Sequence, residues 1–133
     1  MAKRVLIVDD HTPTRALIRS ILEAEKGDTF ETVEAGTGAE CLIAFDSKGP
    51  FNLILLDVTL PDMDGFEVCK AIRRVDKRVP IVFVTAKGEL RDFTQGREAG
   101  SDSYLVKPIA RASLRSMVAL FTNVNRPEIP EKK

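Results

Sequence analysis

Leu53-Ile54-Leu55-Leu56-Asp57 sets four consecutive aliphatic residues ahead of one carboxylate. A strand with one wet face alternates apolar and polar residues, whereas an unbroken apolar run fits a strand covered on both faces, as in a parallel sheet between helices. Two further runs share the pattern: Val5-Leu6-Ile7-Val8 ahead of Asp9-Asp10, and Ile81-Val82-Phe83-Val84 ahead of Thr85. Residues 29–35 and 103–106 are shorter or broken by polar residues and read as edge strands.

Between the runs, apolar residues recur at helical spacing. Leu17, Ile18, Ile21 and Leu22 share one stripe, Val68, Ala71, Ile72 and Val75 a second, and Leu114, Met117, Val118 and Phe121 a third. Residues 39–45 make a shorter apolar helix, and residues 89–98 offer only Leu90 and Phe93 among charges, so that fourth helix should be weakly anchored. Thr12-Pro13 reads as an N-cap followed by proline at the first helical position, Gly27 and Gly49 suit helix ends, and Gly36 and Gly38 suit a strand-to-helix turn. The alternation is β-α five times over. Right-handed crossovers then predict a doubly wound α/β fold, a five-stranded parallel sheet in the order 2-1-3-4-5 flanked by five helices, the order of flavodoxin.

A chain of 133 residues, 44% of them hydrophobic, suits one compact core. Residues 1–122 form the expected domain, and residues 123–133 are a polar, proline-punctuated tail or linker with too little apolar surface to fold. Lys plus Arg balance Asp plus Glu at 20 each, which argues against direct binding of nucleic acid or an acidic membrane and for partners recognised by a local patch. The apolar runs are too short to span a bilayer and no signal-peptide pattern opens the chain, so a cytoplasmic protein is the default. Cys41 and Cys69 lie within helical patterns with no CxxC and no nearby histidine, and read as buried or half-buried small apolar residues, with reactive or paired cysteines the minor alternative.

In a parallel sheet the carboxyl ends of the strands share one rim, where ligands bind beside the reversal of strand order. Here the first strand ends in Asp9-Asp10, the third in Asp57, the fourth in Thr85 and the fifth in Lys107-Pro108. Crowded carboxylates repel unless a cation offsets them, and oxygen ligands without histidine or cysteine favour Mg2+, which keeps waters and takes phosphate oxygens. Asp57 is then the best nucleophile toward phosphorus, Lys107 a second positive charge, and Thr85 a hydroxyl donor to a phosphoryl oxygen.

The set Val8-Asp9-Asp10, Leu56-Asp57-Val58-Thr59-Leu60-Pro61-Asp62-Met63-Asp64-Gly65, Val84-Thr85-Ala86 and Tyr104-Leu105-Val106-Lys107-Pro108 resembles the receiver domains of two-component response regulators, over residues 4 to about 121. The resemblance implies Asp9, Asp10, Asp57 and the backbone carbonyl of Thr59 as Mg2+ ligands and Asp57 as phosphoacceptor. It also implies Thr85 and Tyr104 as switch residues that relay the change to the surface of the fourth helix, fifth strand and fifth helix. Lys107 becomes the phosphate-binding lysine, with a cis bond before Pro108. A sensor histidine kinase or phosphotransfer protein would be the donor, a downstream effector domain or protein the recipient, and a phosphorylation-dependent dimer stays open. On this reading the chain is a regulatory phosphoacceptor that assists its own phosphorylation and slow autodephosphorylation, with Thr59 and Lys87 near the departing group, rather than a turnover enzyme.

Blander readings compete singly. Asp10 suits a helix dipole, Thr85 a cap of the fourth helix, Lys107 a solvated rim position and Pro108 the first turn of the last helix. His11 reads as a solvent-facing loop residue, with donor docking as the minority alternative. An aspartate-nucleophile phosphatase would want an acid two residues after the nucleophile, where Thr59 stands, and a flavin or nucleotide carrier would want a Gly- or Ser/Thr-rich loop where Asp9-Asp10-His11 stands. A phosphate-independent binding module on this fold usually lacks a key acid or the lysine, and this chain has them all.

Overall fold

The computed structural model describes residues 2–25 and 29–122. Its elements alternate as β1 (Lys3–Val8), α1 (Thr12–Glu23), β2 (Phe30–Ala35), α2 (Gly38–Lys48), β3 (Leu53–Leu56), α3 (Gly65–Val75), β4 (Ile81–Thr85), α4 (Leu90–Ala99), β5 (Ser103–Val106) and α5 (Arg111–Thr122). All pairings are parallel and the strand order is β2-β1-β3-β4-β5. The predicted fold class and order are therefore observed.

The continuous apolar runs serve two cores at once, because alternate residues of a strand face opposite sides of the sheet. Leu6, Val8, Ile54, Leu56, Ile81 and Phe83 pack with Cys41, Val68, Cys69 and Ile72 on one side. Val5, Ile7, Leu53, Leu55, Val82 and Val84 pack with Ile18, Ile21, Leu22, Leu114 and Val118 on the other. Leu55 is 1% exposed, and truncating such a side chain to alanine costs about 2–5 kcal/mol. The edge strands are less covered: most of β2 and all of β5 are half-buried or exposed.

Several local boundaries differ from the expectations. The N-cap of α1 is His11, whose carbonyl accepts from Thr14 N and Arg15 N, so Thr12 is already helical and Pro13 lies one place further in. Proline fits anywhere in a first turn whose N–H groups lack intrahelical acceptors, so it does not fix the cap to one residue. Helix α2 runs three polar residues past Phe45, ending on Lys48, whose charge suits a helix C-terminus. Leu17 is 42% exposed because Ile18, Ile21 and Leu22 set the buried face of α1, and Val75 is 74% exposed because Phe66, Val68, Cys69 and Ile72 set that of α3, each to one side of the predicted stripe. Pro108 lies outside α5, which begins at Arg111. Gly49 does close α2, while Gly27 and the predicted tail at 123–133 lie outside the described residues. The bond before Pro108 is cis, and so is an unanticipated one between Gly49 and Pro50.

Helix α4 is tethered unevenly. Leu90 near its start is 78% exposed and Phe93 is 38% exposed, whereas Gly96 and Ala99 near its end are buried. Glu89 and Asp92 form a reciprocal capping box at the start, and Gly100 at φ 109° closes the end in the left-handed conformation that glycine adopts without strain.

Candidate functional site

The strand ends bring the predicted residues to one rim. Asp9 follows β1 and is 2% exposed, Asp57 follows β3 and is 5% exposed, and Asp10 is exposed beside them. One carboxylate oxygen from each lies within 4.8 Å of the others, the arrangement of a candidate metal centre. The ladder continues past the strands to hold them: Asp57 N donates to Val8 O at 2.9 Å and Lys107 N to Thr85 O at 2.8 Å. Lys107 Nζ reaches both buried acids, 2.7 Å from Asp9 Oδ2 and 3.0 Å from Asp57 Oδ2. The remaining oxygens accept backbone donors, His11 N on Asp9 Oδ1 at 2.9 Å and Thr59 N on Asp57 Oδ1 at 3.2 Å.

The electrostatics of this bridge are lopsided. Burial, together with the nearby Asp57 charge, pushes the Asp9 carboxyl above its ordinary value despite its bonds from Lys107 and His11 N. Burial alone would lower Lys107, but its hydrogen bonds to Asp9 and Asp57 raise it instead. The two partners answer differently because one ammonium faces two buried carboxylates and an exposed third nearby. The lysine has partners to spare and the acids have too few, so negative charge is left over. That donor set, all oxygen and anionic in excess, fits a hard divalent cation such as Mg2+.

Thr85 is fully buried, and its Oγ1 accepts from Lys87 N at a long 3.4 Å. It does not cap α4; Glu89 does. Tyr104 is half-buried, with its hydroxyl donating to Lys87 O at 2.8 Å and its ring 5.7 Å from Phe83 and 4.8 Å from Phe93. Burial, then the charges of Asp92 and Asp57, push its phenol up to about 12, so it remains a donor at neutral pH. Thus the connection between β4 and α4 is held by a weak bond from one predicted switch residue and a short bond from the other. Thr59 is exposed and bridges to Asp64, and His11 is exposed with Nδ1 2.7 Å from Thr14 Oγ1. Cys41 and Cys69 are buried thiols raised by burial to about 12 and about 11.

Three residues that hold the site's loop or α4 in place were not singled out from the sequence. Gly96 lies under Tyr104, where a Cβ would sit 3.0 Å from the Tyr104 ring and 3.3 Å from Phe83. A glycine inside a helix is unfavourable relative to alanine, and that was the available signal. Arg73 donates to Gly100 O at 2.8 Å and to Asp102 Oδ2 at 3.1 Å, fastening the end of α4 to α3. Asp62 accepts from Gly38 N at 2.7 Å and Ala39 N at 2.9 Å, and those bonds hold its carboxyl below the usual range.

Residues 5–119 match the response regulator receiver domain family. The chain belongs to that family. Among curated relatives of this receiver domain, the DNA-binding response regulator MtrA of Mycolicibacterium smegmatis is 36% identical over 98% of this chain and 55% of its own length. The CheY-like receiver domain protein of Methanospirillum hungatei superposes with TM-score 0.82 at 31% identity, covering 92% of this chain and 95% of that one. The receiver domain of the sensor histidine kinase PA1611 from Pseudomonas aeruginosa, solved with a magnesium ion coordinated in its active-site cleft, gives TM-score 0.82 at 25% identity over 93% of this chain and all of that one.

This receiver domain spans about half the length of the curated relatives it matches. The balanced charge argued against a nucleic-acid partner, and relatives named as DNA-binding regulators remove the support for that exclusion. The reason is that net charge describes one domain's field and says nothing of what a longer regulator carries. Among the described residues, no helix is long and apolar enough to cross a membrane.

Proposed function

We propose that this receiver domain is a cytoplasmic phosphorylation switch in which Asp57 takes a phosphoryl group from the phosphohistidine of a sensor histidine kinase or phosphotransfer protein. The observation that carries the reading is the shared bridge of Lys107 to Asp9 and Asp57 beside the third acid Asp10, a site with more negative charge than its lysine offsets. Asp9, Asp10, Asp57 and the backbone carbonyl of Thr59 would hold Mg2+. When bound, that ion supplies positive charge against the acids and the equatorial phosphoryl oxygens.

The chain's own part is mostly positioning. An Asp57 carboxylate oxygen forms the new bond to phosphorus as the bond from phosphorus to the donor imidazole nitrogen breaks, and the imidazole retains that electron pair. Lys107, already within hydrogen-bond reach of Asp57, turns its ammonium to a phosphoryl oxygen. Thr85 gives up its long bond from Lys87 N and donates its hydroxyl to another oxygen. Tyr104 turns into the vacated space, releases Lys87 O and repacks α4 against β5, which the poorly buried start of α4 allows at small cost. The two states need differ by only a few kcal/mol, so an active-like minority exists before phosphorylation. Output passes through the α4-β5-α5 face to an effector domain or protein, or to a phosphorylation-dependent dimer. Slow hydrolysis resets the switch, and Thr59 and Lys87, which line a cleft of about 330 Å3 together with Val58 and Asp64, stand near the departing group.

Backbone amide spectra with beryllofluoride and Mg2+ test the relay. Thr85, Lys87, Tyr104 and the start of α4 shift in the wild type and stay put in Asp57→Asn. Shifts confined to the three acids would contradict it.

A further inference from the structure

The connection between β3 and α3 carries Thr59 and is fastened at both ends. At the near end Thr59 N is tied to Asp57 and Thr59 bridges to Asp64, and at the far end Asp64 caps α3 through Phe66 N at 2.7 Å. Gly65 N, donating to Val58 O at 2.7 Å, closes the base of the loop, but that bond alone does not stop residues 60–63 from bowing outward. Two contacts with α2, more than twenty residues earlier, do.

The Asp62 carboxylate accepts from Gly38 N on Oδ1 at 2.7 Å and from Ala39 N on Oδ2 at 2.9 Å, so both oxygens are engaged by the first turn of α2. Next to it the Met63 side chain fills the notch left by Gly38, where a Cβ would fall 2.3 Å from Met63 Cγ and 2.5 Å from Sδ. A charge-assisted pair of bonds and a fitted side chain thus press adjacent residues of the loop onto one helix end. Thr37 already caps that helix through Glu40 N at 3.0 Å, so α2 does not depend on Asp62 alone for its start.

From this we infer that Asp62 is a positioning residue: with Met63 seated against Gly38 it latches the β3–α3 connection to α2 and thereby holds the Thr59 carbonyl at the cation site. The inference rests on the proposed metal-site reading and adds a part to it. Asp62 touches neither the cation nor the phosphoryl group. It acts through the loop, by removing conformations in which the carbonyl points elsewhere.

The test compares Asp62→Ala with Thr37→Ala, since each removes cap bonds from the same helix end and only the first releases the loop. Calorimetric titration of the full chain with Mg2+ alone is expected to show affinity weakened about tenfold in Asp62→Ala, the scale seen when a group orienting a metal ligand is lost, and unchanged in Thr37→Ala. Asp62→Asn, which keeps one acceptor, falls between. Hydrogen exchange without metal is expected to quicken at residues 58–64 in Asp62→Ala and not in Thr37→Ala. Equal Mg2+ affinity in wild type and Asp62→Ala, with both alanine variants merely melting earlier, would overturn the positioning role. Unchanged exchange at 58–64 would overturn the latch itself. A wild-type chain that takes up no Mg2+ would instead overturn the metal-site reading and the role built on it, with the exchange result unaffected.

Discussion

Asp57 and Asp9 are both nearly buried, and they share one ammonium while Asp10 stands exposed nearby. Folding therefore holds like charges together that water would keep apart, and the Asp9 carboxyl is raised first by its burial and then by the Asp57 charge beside it. Asp57→Asn removes one charge, leaves Lys107 its bond to Asp9, and is expected to raise stability in metal-free buffer by about 1 kcal/mol, roughly 3–6 °C in a domain of this size. With saturating Mg2+ the gain shrinks or reverses, because the ion offsets the same charge and stabilises the wild type more. Thermal melts in EDTA and in Mg2+ check this, and equal shifts in the two buffers would contradict the crowded-acid picture. Single residues at strand ends were legible in the sequence because topology alone delivers them to one rim. Gly96, Arg73 and Asp62 were not, since each acts on a partner that only the folded chain brings near: Asp62 meets Gly38 across 24 positions.

Elements divide along similar lines. The central strands could be read because burial on both faces removes polar residues from the run, and the edge strands because their partial exposure restores them. Helix faces were harder. A stripe at helical spacing fixes the side that turns inward to within one residue, which is why Leu17 and Val75 come out exposed and why α2 extends past its last apolar residue. The fourth helix could be read in kind: few apolar side chains predict weak anchoring, and its first turn leaves Leu90 and Phe93 exposed and is closed by a polar capping box.

Between α1 and β2 the tie is ionic. Glu34 accepts from Arg15 at 2.9 Å and also from Arg19, and although burial alone would raise its carboxyl, the two guanidinium groups hold it below its ordinary value of 4.5. A depressed carboxyl stabilises the fold fully above that ordinary value, and the contribution is lost as pH falls through the lower folded value. Glu34→Gln is accordingly expected to cost about 0.5–1 kcal/mol at pH 7, the discount reflecting its partial exposure, and almost nothing near pH 2. Denaturant melts at the two pH values measure it. A constant difference would mean that the pair contributes by packing and not by charge.

Across the whole molecule, one face of the sheet's rim gathers the chemistry while the body remains a two-sided apolar core. The balance of 20 basic and 20 acidic residues leaves no long-range field to do the recognising. On the proposed reading the domain would work by coupling: charge arriving at Asp57 would be felt at the start of α4, where Leu90 and Phe93 are exposed and rearrangement costs least. The relatives named as DNA-binding response regulators are about twice this length. The claim on which everything else depends is that Asp57 forms an acyl phosphate with the help of a divalent cation. Intact-mass measurement after incubation with acetyl phosphate decides it. The expected result is one phosphoryl group on the wild type in Mg2+, none in EDTA and none on Asp57→Asn; an unmodified wild type, or an equally modified Asp57→Asn, would contradict the account.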